Sequence, residues 1–499
     1  MVDTMSRLGL HLAINMVGKG WTSLVSLALV PLYLHYLGIE SFGLIGFFVT
    51  LQAASLLLDL GLSTTINREM ARRSVECSDG SQRQDLLRTL ELVNWGIAAF
   101  LAVTIWFLAP IIAHHWISPG ALDRQAVTKA VQMMGLALAL KWPANLYNGA
   151  LMGLQRQVSM NVLLMLVASV TGGGAVLTLI LVAPTAEAFF TWQFIANGLA
   201  TLATGAWTWH CTRGDGTTSP RFRTGILVDT WKFAAGVSGV TVLGILLAQM
   251  DKLVLSAVLS LQDFGYYSLA TMVATGLAIL ASPVFTAVFP AFSALVAQRD
   301  DGALSEIYHR AAQTLAALVF PPMVMIAWFS RDLLRAWTGN DVIATATGPV
   351  LSLLILGSGI NALMTVPWAL QLAHGYLRLG LIFNLVAIVF LLPLVLVGAF
   401  EYGVTGAAAG WLILNSGYVV VGIPLIHHKL LRGHLWRWYY SDHFVPLRNA
   451  IILTLLTDLA IRWGGMPPLI AIGVGTATCY ALGWRTIGVM FANTKTVQV

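Results

Sequence analysis

The sequence predicts an all-α membrane protein. Fourteen transmembrane helices form two pseudo-symmetric six-helix lobes around a central cavity, two further helices follow, and both termini are cytoplasmic. Three observations predict this. Of the 499 residues 57% are apolar and only 10% charged, against roughly 25% charged in an average soluble protein, and the mean hydropathy is +0.78. So much apolar surface excludes a soluble enzyme, a disulfide-stapled secreted domain and a disordered chain. The apolar residues also run continuously over lengths near the ~20 residues that span a bilayer, without the period-two alternation of a transmembrane barrel. Finally, basic residues collect on alternate connections.

Taken in order, the apolar runs place helices near 11–34, 41–63, 89–113, 127–149, 159–182 and 188–209. A second series lies near 234–257, 265–292, 311–329, 346–371, 379–399 and 404–426, and a final pair near 449–463 and 468–491. This gives an N-lobe over 1–210, a cytoplasmic linker over 211–232 and a C-lobe over 233–426. An amphipathic cytoplasmic loop over 427–448 and the last pair with its tail, 449–499, complete the chain. Met1 to Gly9 lacks a basic stretch followed by a cleavage site, so the first apolar run reads as a retained helix.

Orientation follows from charge. With the N-terminus inside, the inner connections hold Arg7, Arg68, Arg72, Arg73, Arg83, Arg88, Arg156, Arg213, Arg221, Arg223, Lys232, Arg299, Arg310, Arg378, Lys429, Arg432, Arg437, Arg448 and Lys495. The outer connections hold only Arg124, Lys129, Arg331, Arg335 and Arg462. Nineteen against five is a strong positive-inside asymmetry, and the formal net charge of +6 reports topology rather than nucleic-acid binding.

The same reading limits the chemistry. No connection exceeds roughly 25 residues, so no soluble domain is available to hold a catalytic site, and the chain reads as a non-enzyme. The only Gly-Lys pair, Gly18-Lys19, lies inside a helix and is followed by Gly20, which is not a phosphate-binding P-loop. Energy for any transport must then come from an ion gradient, the membrane potential or the substrate gradient. Cys77, Cys211 and Cys479 are odd in number and far apart, suggesting neither a disulfide framework nor a metal site. His114-His115 falls on an outer connection; His427, His428, His434 and His443 fall on an inner one and read as exposed loop histidines, with no metal. The aromatic run Trp436–Tyr440 reads as an interfacial amphipathic segment, and Gly172-Gly173-Gly174 as a site of close helix packing.

An internal repeat is visible. Tyr36-Leu37-Gly38-Ile39-Glu40-Ser41-Phe42-Gly43 and Val258-Leu259-Ser260-Leu261-Gln262-Asp263-Phe264-Gly265 stand 222 residues apart, each with an acid before a Phe-Gly that opens the next helix. Gly153-Leu154-Gln155-Arg156 and Gly375-Tyr376-Leu377-Arg378 share that offset. Six helices is an even number, so the copies keep one orientation, as in transporters built from parallel repeats.

The stretches VPLYLHYLGIESFGLIGFFVTL, LDLGLSTTINREMARR, GALMGLQR, QMDKLVLSAVLSLQDFGYYSLA and EYGVTGAAAGWLILN resemble the Wzx-like polysaccharide flippase branch of the multidrug/oligosaccharidyl-lipid/polysaccharide exporter superfamily. The resemblance covers the chain to about residue 426. It implies a multi-pass protein of the bacterial inner membrane that turns an undecaprenyl-pyrophosphate-linked oligosaccharide from the cytoplasmic to the periplasmic leaflet. The oligosaccharide would be a repeat unit of O-antigen, capsule or exopolysaccharide, and other polysaccharide-assembly proteins would be partners. Two alternatives stay open: a multidrug or metabolite antiporter of the same superfamily, and a polytopic polysaccharide polymerase or ligase.

A pyrophosphate headgroup needs cations inside a polar path, because neither phosphate nor sugar hydroxyls cross roughly 30 Å of hydrocarbon unaided. Lys19, four residues after Asn15 and so on the same helix face, is the first candidate; its alternative is snorkelling to an interface. Lys141, before Trp142-Pro143 in the fourth helix, where the proline breaks the ladder and frees a carbonyl, is the second, with a local salt bridge or a capped carbonyl as its alternative. Asn361 in the tenth helix either joins the cavity or glues helices together. Arg68, Arg156 and Arg378 stand at the cytoplasmic mouth, where they greet the pyrophosphate or simply anchor the topology. Asp251 beside Lys252, and more weakly Asp59, suit coupling to a proton or a sodium ion, because burial and neighbouring cations move a carboxylate's affinity in opposite directions. The bland reading of Asp251–Lys252 is a structural pair. No cofactor is expected.

Overall fold

The computed structural model describes residues 2–59, 61–76, 80–213 and 220–492. Cys77 and Lys495 lie outside that set, as do the side chains of Arg7, Lys232, Arg378 and Arg485. The described residues form an all-helical protein whose only β feature is an isolated bridge between Ser118 and Ser260. Eight of its helices are long and apolar enough to cross a membrane.

The first helix, α1 (Val2–Ser55), takes in the first expected segment and most of the second, and breaks at Gly38, whose φ of 74° and ψ of 170° are non-helical; a side chain there would be strained. A 3-10 turn (Leu56–Asp59) leads to α2 (Leu62–Glu76) and then α3 (Ser81–Ile111). A π turn (Ile112–Trp116) precedes α4 (Arg124–Gly153), α5 (Gln157–Leu181) and α6 (Ala186–Thr212). Next come α7 (Thr224–Val258), α8 (Leu261–Ala274), α9 (Leu277–Gln298), α10 (Asp301–Trp328) and the short α11 (Ser330–Thr338). The expected tenth segment is split into α12 (Asp341–Leu363) and α13 (Thr365–Ala373). The eleventh and twelfth are joined in α14 (Leu377–Gly417), which breaks at Gly403 with φ 61°. After a π turn (Tyr418–Gly422) come α15 (Ile423–Leu430), α16 (Leu435–Arg437), a second π turn (Trp438–Phe444), α17 (Val445–Gly464) and α18 (Pro468–Ala492).

Side-chain caps set several helix starts. Asp123 accepts from the Gln125 and Ala126 amides ahead of α4, Thr185 from Ala188 ahead of α6, and Asn340 from Val342 and Ile343 ahead of α12. Each satisfies donors that the first helical turn leaves open.

The chain divides into two compact units, Met1–Gly265 and Tyr266–Val499. In the first, α4 is enclosed by α2, α3 and α6, while α1 packs on α5. Close helix approach replaces a hydrophobic driving force inside a bilayer, and the glycine triplet of α5 supplies it as expected: Gly172 lies against Leu29 and Gly174 against Trp192. In the second unit α10 is central, flanked by α9, α12, α17 and α18. The final pair is bound to it, with Tyr480 Oη donating to Leu318 O at 3.1 Å.

The repeat has a structural counterpart at one turn. A Cβ on Gly43 would strike Leu261 O and lie 3.3 Å from Gly265 N; a Cβ on Gly265 would strike Ile39 O and lie 3.3 Å from Gly43 N. Residues 39 and 261, like 43 and 265, are 222 apart, so the contact is reciprocal. Leu261 N–H also donates to Ser118 O at 2.9 Å, and Trp116 Nε1 to Ser256 Oγ at 2.9 Å. At the second match the structural register differs. Gln155 (φ 55°) corresponds to Gly375 (φ 66°), and the amides of Arg156 and Tyr376 make equivalent bonds to Leu151 O and Gln371 O. The offset there is 220, so Tyr376 rather than Arg378 occupies the place of Arg156.

Candidate functional site

Inside the first unit, the fourth-segment lysine is held by an amide. Lys141 Nζ donates to Gln52 Oε1 at 2.8 Å, linking α4 to α1, with the lysine itself exposed on the unit. Pro143 does not break α4; Thr201 Oγ1 of α6 donates to Leu140 O at 2.7 Å, next to Ala139, whose carbonyl loses its helical donor to the proline. Lys19 is exposed on α1, with no acidic partner for its ammonium among the described residues. Its glycine neighbours divide their roles. Gly18 lies against Asn161 of α5, whereas Gly20 faces open space.

Asn15 is not on that open face. Its Oδ1 accepts from Asn161 Nδ2 at 2.6 Å and its Nδ2 reaches Gln157 Oε1 at 3.4 Å, so the amide ties α1 to α5. Asn361 is spent similarly, donating to Asn415 Oδ1 at 2.8 Å between α12 and α14, while buried Asn415 donates to Trp411 O. Both amides are therefore helix glue in this structure.

At the basic ends of the helices, Arg68 and Arg156 are exposed. Arg156 stands where α4 passes into α5, near Cys211: burial pushes that thiol up against the downward pull of the Arg156 guanidinium. Glu69, beside Arg68, is taken by Arg72 at 2.7 Å and Arg73 at 3.7 Å. Asp251, buried, pairs with Lys252 at 3.1 Å, and Lys252 also donates to Ala248 O at 2.8 Å. Asp59 caps α2, accepting from Ser63 Oγ at 2.7 Å and Ser63 N at 3.2 Å. Among the described residues no hydrogen bond or ion pair joins Lys19, Lys141 and Asp59; Lys141, Asp59 and Asp251 each have a local partner, and Lys19 stands apart.

Two buried polar clusters escaped the sequence reading. Glu91 of α3, at the start of its apolar run, accepts from Tyr147 Oη at 2.5 Å and Trp209 Nε1 at 3.1 Å, with Arg88 at 3.2 Å; Trp95 Nε1 donates to Tyr147 Oη at 3.2 Å. Nearly two turns earlier Asp85 accepts from Arg221 N at 2.7 Å and pairs with Arg223 Nε at 2.6 Å, fastening the basic 220–223 stretch to α3. The acid spacing along α3 was visible, but aromatic donors from α4 and α6 are distant in sequence. The second cluster corrects the histidine reading: His427 is 1% exposed and His443 8%, and both are packed among aromatic rings rather than free in a loop. His434 is half-buried; of these four only His428 is exposed as expected, as are His114 and His115 of the outer pair.

The comparisons with known proteins agree in kind. The polysaccharide biosynthesis protein family profile matches residues 36–345. An uncharacterized membrane protein in the cps region of Klebsiella pneumoniae is 24% identical over 201 residues, 40% of each chain. A candidate O-antigen transporter of Shigella flexneri is 23% identical over 163 residues, 33% of this chain and 38% of that one. The matched stretches thus span well under two thirds of these relatives. Among solved structures, the lipid II flippase MurJ in an inward closed conformation superposes with a TM-score of 0.70 at 12% identity, covering 95% of this chain and 99% of that one. An inward-facing MATE multidrug transporter of the MOP superfamily gives 0.66 at 15%, covering 82% and 94%. The profile spans well over half the sequence, the helices match MOP-type transporters, and this multi-pass membrane protein belongs to the polysaccharide biosynthesis protein family.

Proposed function

We propose that the chain is a flippase that moves a polyprenyl-pyrophosphate-linked oligosaccharide across the bacterial inner membrane by alternating access. On this reading it crosses the membrane fourteen times with both termini on the basic, cytoplasmic side. The N-lobe ends near residue 210, and the C-lobe occupies 233–426. The substrate is a repeat unit of O-antigen, capsule or exopolysaccharide, and an ion gradient drives the step. The single observation that carries the reading is Lys19: an exposed ammonium in the first apolar helix, beside open Gly20, with no acidic partner among the described residues. A charge on an apolar helix is costly facing lipid, and an unpaired ammonium is the group that a pyrophosphate oxygen accepts from. Lys141, whose one side-chain bond among the described residues is to a neutral amide, is a second headgroup donor, and Arg68, Arg156 and Arg378 supply positive charge at the loading mouth.

The test is transport by the purified protein in liposomes loaded with a polyprenyl-pyrophosphate sugar. Lys19→Glu lowers the rate about tenfold or more, the scale of one charge-assisted hydrogen bond lost and a repulsion gained, with normal membrane insertion. An unchanged rate removes Lys19 from the site. Export of a small organic cation with no movement of any lipid-linked sugar replaces the flippase reading with the multidrug one.

A further inference from the structure

The second unit encloses a hydrogen-bonded chain that the transport reading does not use. Asp442, 0% exposed, has Oδ2 2.5 Å from His309 Nδ1, and its Oδ1 accepts from Gln313 Nε2 at 2.9 Å. The other ring nitrogen of His309, Nε2, lies 3.0 Å from His434 Nδ1, and Ser305 Oγ lies 3.1 Å from that same Nδ1. His309 is 1% exposed, whereas His434 is half-buried on the turn between α15 and α16. The chain therefore runs inward from a partly exposed imidazole to a wholly buried carboxylate.

The donor–acceptor arithmetic fixes what it can carry. With Asp442 ionised, His309 Nδ1 is the N–H that donates to it. The Nε2···Nδ1 contact holds one proton, on either ring, and the Ser305 hydroxyl donates to or accepts from His434 Nδ1 accordingly. A proton added at His434 Nε2 lets the Nδ1 proton pass to His309 Nε2. His434 ends neutral in its other tautomer, and His309 ends as an imidazolium against the Asp442 carboxylate. Only N–H bonds form and break, and one positive charge moves inward.

We propose that the His309–Asp442 pair is a proton-binding site of the second unit, filled through His434 from the membrane face that carries the 431–434 turn.

The surroundings favour transfer over a purely structural pair. His434 is held below its ordinary imidazole value by burial first, then by His309 and by Arg437 of α16, against a smaller upward pull from Asp442, which disfavours its keeping an added proton. On α10, Tyr308 is buried beside His309, while Glu306 and Arg310 pair with each other at the surface. From α15, His427 donates through Nδ1 to Ile423 O and leaves Nε2 without a partner among the described residues. From the π turn, His443 Nδ1 donates to Trp438 O. Arg448 of α17 is exposed and donates to Asn449; α18 adds Cys479 and Tyr480; α9 and α13 carry no titratable side chain, and the acid of α12, Asp341, stands by Arg331 beyond the other end of α10. Asp442 is thus the acid in contact with the imidazoles. At the inner end, Gln313 also lines a cavity of about 230 Å³ together with Ser441 and Asn449, so the relay abuts a polar-edged space between α10, α17 and α18.

The test uses the full chain in lipid nanodiscs with ¹³C-labelled histidine Cε1, titrated by NMR from about pH 5 to about pH 8.5. No transport substrate is present, so the outcome is independent of what the protein carries. The resonance lost in His309→Gln titrates in the wild-type protein. In Asp442→Asn its proton affinity falls about tenfold or more, one pH unit in midpoint. In His434→Gln the midpoint is kept while proton exchange onto His309 slows about tenfold, the pathway being cut. A His309 resonance constant across the range overturns the proposal, as does an Asp442→Asn midpoint equal to that of the wild type. Should Asp442→Asn fail to fold, the wild-type titration decides alone.

Discussion

Replacing Gly265 with alanine probes the reciprocal turn contact directly. The new methyl strikes the Ile39 carbonyl, with Ile39 Cγ1 at 3.2 Å and Gly43 N at 3.3 Å behind it. The obstructing atom is backbone within α1, so it cannot swing aside as a side-chain end would. Overpacking of this kind costs about 1–3 kcal/mol, which displaces a two-state equilibrium by about 5- to 150-fold. The bonds nearest the strain are Leu261 N–H to Ser118 O and Trp116 Nε1 to Ser256 Oγ, so the turns separate more often. Ser256, 6% exposed, is a suitable reporter. The maleimide-labelling rate of Ser256→Cys rises about fivefold or more when Gly265→Ala is added. Gly43→Ala has a similar effect, because its methyl meets Leu261 O in the mirrored contact. Gly96→Ala, where no atom lies within 4 Å, leaves the rate unchanged. Equal rates in all three backgrounds refute the argument that these two glycines hold the turns together.

Three further outcomes follow from the buried polar groups. Glu91→Ala strands the Tyr147 hydroxyl and the Trp209 indole N–H, at about 1–3 kcal/mol for each buried donor left unpaired; thermal unfolding in detergent reads it as a clear drop, and an unchanged melt shows that Glu91 contributes nothing. Because burial lowers the proton affinity of His434 in the fold, the unprotonated form is favoured there, and its stabilisation is present above about pH 6.5 and lost as the pH falls through the folded value. The melting temperature therefore decreases on acidification below about pH 6.5, and His434→Gln flattens that decrease. Asn361→Ala and Asn415→Ala each cost about 0.6 kcal/mol, the average for a hydrogen bond between membrane helices, and the double variant costs no more than their sum. A complete loss of glycan movement in Asn361→Ala without loss of stability would instead return Asn361 to the substrate path.

Much of the helix pattern was legible because it rests on local chemistry. The expected segment at 159–182 is α5, 468–491 is α18, and 449–463 lies within α17. Gly38 and Gly403 mark breaks between segments that the hydropathy already separated. In the glycine triplet of α5, Gly172 and Gly174 pack closely as suggested, while Gly173 faces open space. The candidate site was less legible, because a polar residue in an apolar helix looks the same whether it faces a ligand or another helix. Asn15 and Asn361 were read from their own helices, and their partners, Asn161 and Asn415, are 146 and 54 residues away. Asp251 and Lys252 adjoin in the sequence, and for them the simpler reading, an ion pair, is what the structure contains. The second repeat match failed by two residues because Gly-Leu-Gln-Arg and Gly-Tyr-Leu-Arg align by identity, whereas the left-handed residue of each turn sits at a different place in the motif.

By itself the sequence determined that this chain lives in a membrane as a set of helices, where those helices run, and which of their connections carry the positive charge. Those properties are sums over neighbouring residues, and transfer of apolar surface from water needs no knowledge of partners. Only the tertiary structure decided which polar groups meet. It seated Glu91 beneath Tyr147 and Trp209, brought His309 and Asp442 together across 133 residues, and set Gly43 against Gly265. Hydrogen bonds and backbone contacts act over a few ångströms, so their energies depend on which distant segments the packing brings within reach.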